Sequence, residues 1–148
     1  WSSDVCSSDL TIRKTTVKLD KNASVKVMER LMTHGEQRAE SRFVVDLNGE
    51  NSGANIISRS VAKDNSYQLF QSVLNGNEKC SGHTECDAII VGNAKISSIP
   101  EITANNSDAA LIHEAAIGKI AGEQIIKLMT LGLTEEEAEE QIISGFLK

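Results

Sequence analysis

The fold class follows from residues 42–49, which read Arg-Phe-Val-Val-Asp-Leu-Asn-Gly. Apolar side chains at alternate positions are typical of a half-buried strand, and the closing Asn-Gly pair is typical of a tight turn. The same period of two recurs in residues 25–27 and 67–71. We therefore expect strands rather than helices from residue 11 to about residue 117.

Turn-forming residues divide this region at regular intervals of about a dozen residues. Such spacing is typical of a β-sandwich, a barrel or a β-solenoid. Aromatic residues are few, and small or β-branched runs at residues 88–92 and 96–99 favour stacked rungs filled by aliphatic layers. A mainly β fold of the solenoid type is the prediction, although no strict sequence repeat is visible. The turn formers are Gly35, Asn48-Gly49, Asp64-Asn65, Asn75-Gly76, Gly92-Asn93 and Asn105-Asn106.

The period changes after Gly118, and residues 119–148 predict a hairpin of two helices. Gly132 is placed to end the first helix in a left-handed conformation. Thr134 and Glu137 form a capping-box pattern, which predicts the start of the second helix. The apolar positions of the hairpin are Ile125, Ile126 and Met129 in the first helix, and Ala138, Ile142, Ile143 and Phe146 in the second.

Composition excludes several classes of partner. The chain has 148 residues and a formal net charge of −6, with acidic residues concentrated near the C-terminus. No basic face is available for phosphates, so binding to nucleic acid or to an anionic membrane is not expected. No stretch approaches the roughly 20 apolar residues that cross a bilayer, and no secretory leader is visible. We therefore expect a soluble, cytoplasmic protein.

Residues 1–10 read Trp-Ser-Ser-Asp-Val-Cys-Ser-Ser-Asp-Leu and offer almost nothing apolar for a core. They resemble a sequencing-library adapter translated in frame, so we interpret them as an artefact outside the fold; a natural disordered leader is the alternative. We accordingly divide the chain into residues 1–10, a β core at 11–118 and a helical segment at 119–148. Truncation of the core on its N-terminal side is an open alternative.

Cys80, His83 and Cys86 have metal-ligand chemistry in a C-x2-H-x2-C spacing. On a continuous strand the two cysteines would lie roughly 20 Å apart, with His83 on the other face. A closed zinc site would also lack a fourth ligand, so we do not expect one. We expect a single exposed thiol at Cys86 to matter more, with a pKa raised by its acidic neighbours Glu85 and Asp87.

His113 and Glu114 match the start of the zinc-protease motif H-E-x-x-H, but Ile117 stands where the second histidine is required. In an isolated strand the two side chains would project to opposite faces. The glycines fit neither the phosphate-loop pattern nor the dinucleotide-binding pattern. We therefore expect no nucleotide to be bound by this chain, and no enzymatic activity.

The C-terminal half carries ordered motifs that resemble one known family. They run from Gly82-His83-Thr84-Glu85-Cys86-Asp87-Ala88-Ile89-Ile90 through Pro100-Glu101-Ile102, Asn105-Asn106-Ser107-Asp108, Ile112-His113-Glu114-Ala115 and Gly122-Glu123-Gln124-Ile125 to Leu131-Gly132-Leu133-Thr134-Glu135-Glu136-Glu137-Ala138 and Gly145-Phe146. Together these motifs closely resemble the SufB/SufD family of the SUF iron–sulfur cluster assembly system. Residues 49–81 are compatible with the family's core, and residues 11–48 match it more loosely.

The resemblance implies a right-handed parallel β-helix followed by a small helical domain. It also implies partners: a SufB–SufD pair or a homodimer formed through the end of the β-helix, the SufC ATPase and a sulfur donor protein. The C-terminal helices would dock SufC, with Ile125, Met129, Ile142 and Phe146 as the candidate contacts. An alternative solenoid that binds carbohydrate would need more exposed aromatic residues than this chain has.

The resemblance further implies a scaffold for a transient iron–sulfur cluster. Cys86 matches the SufB scaffold cysteine, Glu114 matches an acid of the SufB His-Glu pair, and His113 matches a histidine found in both SufB and SufD. Cys80 and His83 are secondary candidates. Ile112 stands where SufB usually has an acid, and the upstream cysteines of SufB are absent. Identity as SufB, as a SufD-like partner without a cysteine ligand, or as an undifferentiated protein therefore stays open; Cys86 favours SufB.

Overall fold

The computed structural model describes residues 9–148 and contains eight strands followed by two helices. The predicted artefact at residues 1–10 lies largely outside the described residues, although Leu10 already begins the first strand. The strands are β1 Leu10–Leu19, β2 Ser24–Thr33, β3 Arg38–Leu47, β4 Ser52–Ala62, β5 Tyr67–Gly76, β6 Cys80–Ile90, β7 Lys95–Ala104 and β8 Ala110–Gly118. The helices are α1 Gly122–Met129 and α2 Glu135–Phe146.

The strands form two parallel four-stranded sheets, in the orders β1-β3-β5-β7 and β2-β4-β6-β8. Each strand therefore pairs with the strand one full turn later in the chain. The pairing Leu10↔Arg38 advances the chain by 28 residues, and Ser24↔Gly53 advances it by 29. This arrangement is a parallel β-solenoid of about four turns with two C-terminal helices, so the predicted fold is confirmed.

Side chains that alternate along each strand point into the solenoid or out to solvent. Phe43, Val45 and Leu47 are at most 2% exposed and pack with Ile56 and Leu74 from other strands. The expected aliphatic layers are only part of the interior, because polar side chains also lie inside. Most of them lie in hydrogen-bonded groups, which removes most of the cost of their desolvation, whereas the Ser52 hydroxyl has no hydrogen-bond partner. The buried polar residues are Glu29, Thr33, Ser41, Ser52, Ser58, Ser60, Ser66, Gln68, Ser72 and Thr84.

The turns stack on one another as closely as the strands do. Asn77 Nδ2 donates to Asn48 Oδ1 at 2.7 Å, and Asn105 Nδ2 donates to Asn77 Oδ1 at 2.7 Å. This asparagine ladder joins three successive turns along one corner of the solenoid. Gly49 allows the turn after β3 to lie directly against the backbone of Lys21, where a Cβ atom would overlap it.

The helical hairpin begins as its sequence predicts. Thr134 caps α2, its hydroxyl accepting from the Glu137 amide while the Glu137 carboxylate accepts from the Thr134 amide. Gly132 has φ +97°, the left-handed conformation expected between the helices. Lys63 Nζ lies 2.8 Å from Glu139 Oε1 and connects α2 to the end of β4.

Within residues 9–148, no helix has the length and apolar character that a bilayer crossing demands.

The last turn of the solenoid leaves part of its interior side uncovered. β7 and β8 are the outermost strands of their sheets. Ile102 and Ile117 pair with the buried residues Leu74 and Ala88, so they face the interior, yet they are 43% and 39% exposed. The C-terminal end of the β core is therefore an open, partly apolar surface.

Candidate functional site

Strand β6 sorts the candidate residues onto two faces of one sheet. Cys80 and Cys86 are 6% and 0% exposed and belong to the core, whereas His83 lies on the outer face. Because β6 is continuous, the two cysteines are separated by about 20 Å of strand, as six residues at 3.3 Å each require. Both thiols are free. One ion therefore cannot bind both thiols while β6 is a continuous strand.

Strand β8 repeats the division for the His-Glu pair. Its register places His113 beside Thr84 and Glu114 beside Glu85. His113 accordingly faces the interior, while Glu114 lies outside with His83. The predicted ligands Cys86, His113 and Glu114 are thus not brought to one face: the first two share the interior and Glu114 does not.

A short polar chain holds His113 inside the solenoid. Its Nδ1 lies 2.7 Å from Thr84 Oγ1, and Ser72 from the opposite sheet donates to the same oxygen at 3.4 Å. Burial lowers the pKa of His113, and the neighbouring His83 lowers it further. A neutral imidazole is the form that binds metals, so the interior position suits a ligand.

The Cys86 thiol is fully buried, and the prediction of an exposed thiol at this position is wrong. Its flanking acids point to the other face, because neighbouring side chains alternate along a strand. Burial is the main reason why the pKa of Cys86 is raised; Asp87 and the interior Glu29 add to the effect, and the Ser98 hydroxyl opposes it. The thiol is therefore held in its protonated, weakly nucleophilic form. Burial likewise raises the pKa of Cys80.

Glu29 is a buried carboxylate that the sequence did not indicate. It is 7% exposed and accepts hydrogen bonds from Ser41 at 2.6 Å and from Ser58 at 3.0 Å, and it is paired with Arg13. Ser58 stands between Glu29 and Cys86 in the register of the second sheet. A polar column therefore leads along the interior to the Cys86 thiol. The only sequence signal was a charged residue at an inward position of the alternation.

A second cluster lies on the outer face of the same sheet. One ligand atom each of His83, Glu85 and Glu114 lies within 4.8 Å of the others. His83 Nε2 is 3.6 Å from Glu114 Oε2, and His83 Nδ1 is 3.3 Å from Asn55 Oδ1. A hydrogen bond with Asp87, followed by burial, raises the pKa of Glu85. The sequence indicates Glu114 and His83 as candidates but not Glu85, which the parallel register places directly beside Glu114.

The residues predicted to dock a partner differ in exposure. Ile125, Ile142 and Phe146 are half-buried, whereas Met129 is 43% exposed. The most exposed apolar side chains of the hairpin are Ile126 and Leu131, at 62% and 76%. A groove of about 480 Å³ separates α1 from the end of β6; Ile90, Gly92, Ile125, Met129 and Glu139 contribute to its walls.

Comparison with known proteins identifies the family. A family model described as SUF system FeS cluster assembly, SufBD core domain, matches residues 1–146. The chain belongs to the SufBD family. The SufBD resemblance expected from residues 81–148 is therefore confirmed.

Archaeal relatives named iron-sulfur cluster assembly SufBD family proteins are similar over most of the chain. The relative from Methanocaldococcus jannaschii is 38% identical over 128 residues, which are 86% of this chain and 40% of that protein. The relative from Pyrococcus horikoshii is 38% identical over 113 residues, which are 76% of this chain and 35% of that protein. This SufBD chain thus spans less than half the length of these relatives.

Proposed function

We propose that this chain is a non-enzymatic scaffold of cytoplasmic SUF-type cluster assembly, in which Cys86 and His113 hold a nascent iron–sulfur cluster. The supporting observation is that both side chains face the interior of the last two strands of the second sheet, beside the open end of the solenoid. Thiolate sulfur is the usual ligand of iron in such clusters, and imidazole can replace it at individual irons. The cluster is cargo, assembled here and passed on.

The open end of the solenoid supports assembly in a pair. Apolar interior side chains such as Ile102 and Ile117 are exposed there, and burial against a second chain would contribute roughly 25 cal/mol per Å² of apolar surface. A SufB–SufD pair or a homodimer would cover this end and enclose His113 between the two chains. Since Cys86 lies one strand further in, it becomes available to iron and sulfide only when β8 moves.

Anaerobic reconstitution with Fe²⁺ and sulfide tests the scaffold role. The parent should develop cluster absorbance in the visible range, and Cys86→Ser should lose most of it because the thiolate is the main ligand. Cys80→Ser is the matched control, since Cys80 is a buried free thiol on the same face of the same strand. If Cys86→Ser holds as much cluster per chain as Cys80→Ser, the role of Cys86 is wrong.

A SufD-like partner is the second candidate, and the exposure of the two interior ligands favours it. His113 lies half-buried on an outermost strand, whereas Cys86 is fully covered. In this version the chain pairs with a SufB, contributes iron entry through His113 and builds no cluster alone. If the isolated chain assembles a cluster and needs Cys86 to do so, this version is excluded.

SufC docking through the helical hairpin completes the proposal. No α1 residue is buried, and its apolar surface lies at the open groove beside Ile90. Met129→Glu should therefore weaken the binding of SufC to this chain, and the chain should stimulate ATP hydrolysis by SufC less. Met32→Glu is the control, because Met32 is 46% exposed on β2, close to the 43% of Met129. Equal SufC binding by the two variants would contradict docking at α1.

A further inference from the structure

We propose that His83, Glu85 and Glu114 bind one divalent first-row transition-metal ion, Fe²⁺ included, on the outer face of the second sheet. This site is distinct from the interior pair of Cys86 and His113, because adjacent residues of β6 and β8 point to opposite faces. It uses nitrogen and oxygen ligands alone. The proposal concerns ion binding and stands whether or not Cys86 holds a cluster.

The geometry of the three donor groups is close to that of a metal shell. The three donor groups lie within 4.8 Å of one another, and His83 Nε2 is 3.6 Å from Glu114 Oε2. Metal–ligand bonds of about 2.0–2.2 Å place neighbouring donor atoms roughly 3.0–3.6 Å apart in octahedral or tetrahedral shells. Small rotations of the two glutamates would therefore complete the shell. Since all three residues stand on paired strands, their backbone positions are fixed before the ion binds.

His83 is oriented by a group outside the cluster. Its Nδ1 lies 3.3 Å from the Asn55 Oδ1 atom on β4. An amide oxygen only accepts, so Nδ1 carries the proton in this contact. Nε2, which lies 3.6 Å from Glu114 Oε2, is then the ring nitrogen that a metal ion would bind. Orientation through the second ring nitrogen is the usual arrangement behind such ligands.

The charge around the cluster is the second argument for a bound cation. Glu85 and Glu114 are direct neighbours in the parallel register. Like charges placed directly beside each other destabilise a sheet. Within residues 9–148, neither carboxylate forms a salt bridge with a lysine or an arginine. His83 and Arg59 act on Glu85 in the direction opposite to its acidic neighbour Asp87. A divalent cation between Glu85 and Glu114 would offset the repulsion between these two carboxylates.

The donor set also defines the class of ion. Imidazole and carboxylates suit Fe²⁺, Mn²⁺, Co²⁺ and Zn²⁺, whereas a soft ion such as Cu⁺ prefers sulfur. Three protein ligands leave at least one position for water, and Glu114 is exposed, so the ion should exchange readily. An exchangeable ion at this surface is suited to delivery of iron rather than to a permanent structural role.

Cobalt titration of the full chain carrying Cys80→Ser and Cys86→Ser provides the test, since this background removes both buried thiols. We expect one Co²⁺ per chain by calorimetry, with d–d absorption bands, and a melting temperature that rises with Co²⁺. His83→Gln and Glu85→Gln should each weaken Co²⁺ binding at least about tenfold. Glu101→Gln, on the outermost strand of the other sheet, is the control and should bind Co²⁺ like the parent.

The stability of the ion-free variants separates binding from folding. Glu85→Gln removes the like-charge contact with Glu114, so without metal it should melt at the same temperature as the parent or higher. No stoichiometric Co²⁺ binding by the parent would overturn the site. Undiminished binding by both His83→Gln and Glu85→Gln would overturn the ligand assignment. Neither result bears on the role of Cys86, which the separate reconstitution with Fe²⁺ and sulfide tests.

Discussion

Gly49→Ala should destabilise the β core more than any other glycine-to-alanine change in its strands and turns. An added Cβ would overlap the backbone nitrogen of Lys21 and lie 2.5 Å from the Lys21 Cα. Neither atom can rotate away, because both belong to the backbone of the turn below. Gly49 is not among the glycines with positive φ, so this overlap is the cause of the expected effect rather than backbone strain.

The magnitude follows from the hydrogen bonds between the two stacked turns. The amides of Asn48 and Gly49 donate to the Leu19 carbonyl at 2.9 and 3.1 Å, and the Asn22 amide donates to the Glu50 carbonyl at 3.0 Å. Each such bond contributes a net 0.5–1.5 kcal/mol, roughly. If the turn shifts enough to admit the methyl group and loses two or three of them, the free energy of unfolding falls by about 2–3 kcal/mol.

Gly53→Ala is the matched control, four residues further along the same chain segment. The nearest atom to its added Cβ would be Ser81 Oγ at 3.5 Å, an ordinary contact. Alanine in a strand should be neutral or should stabilise by about 0.5–1 kcal/mol. Urea unfolding followed by circular dichroism compares the two variants, and the midpoint of Gly49→Ala should lie about 1 M lower or more. A midpoint for Gly49→Ala equal to or above that of Gly53→Ala would refute the close approach of the turns.

Three further predictions concern the ladder and the interior ligands. Asn77→Ala breaks both hydrogen bonds of the asparagine ladder and should lower the free energy of unfolding by about 1–2 kcal/mol, whereas Asn93→Ala, outside the ladder, should not; equal urea midpoints would contradict this. Because the pKa of His113 is lowered in the folded chain, its contribution to stability is fully present above about pH 6.5 and is lost as the pH falls through the folded pKa. Between pH 7.5 and 5.5 the melting temperature of His113→Gln should therefore fall less than that of the parent; equal falls would contradict this prediction. Iodoacetamide at pH 8 should alkylate Cys86 far more slowly in the folded chain than in urea, as site-resolved mass spectrometry would show; similar rates would mean that the thiol is accessible.

The strands and helices could be predicted because their signals are local. Alternation in residues 42–47 reports a strand directly, and Thr134 with Glu137 reports a helix start. The register of the solenoid has no such local signal. Each solenoid turn of 28 or 29 residues repeats the alternation of inward and outward positions, but it does not repeat the residue types at those positions. The asparagines of the ladder show that same spacing in the sequence, and they are the trace from which the register could have been found.

The site was predicted less well because chemistry on a strand depends on its neighbours in space. Glu85 and Asp87 flank Cys86 in the sequence, but their side chains belong to the opposite face of the sheet. Glu85 instead meets Glu114, which is 29 residues away and adjacent through the register. Glu29 is paired across the interior with Arg13 on the other sheet, a contact that no spacing along the chain reveals.

The division of β6 and β8 between two faces constrains how a cluster could be assembled here. The interior ligands Cys86 and His113 lie on one side of the sheet, and the outer cluster of His83, Glu85 and Glu114 lies on the other. Cys86 is covered in the register by Ala115 of β8, which is an outermost strand, and β8 also carries His113 and Glu114. Displacing β8 breaks only one ladder of hydrogen bonds, yet it would uncover the thiol and release both ligands together. Under the proposed function, movement of this single strand is therefore the smallest change that brings iron and sulfide to the same place.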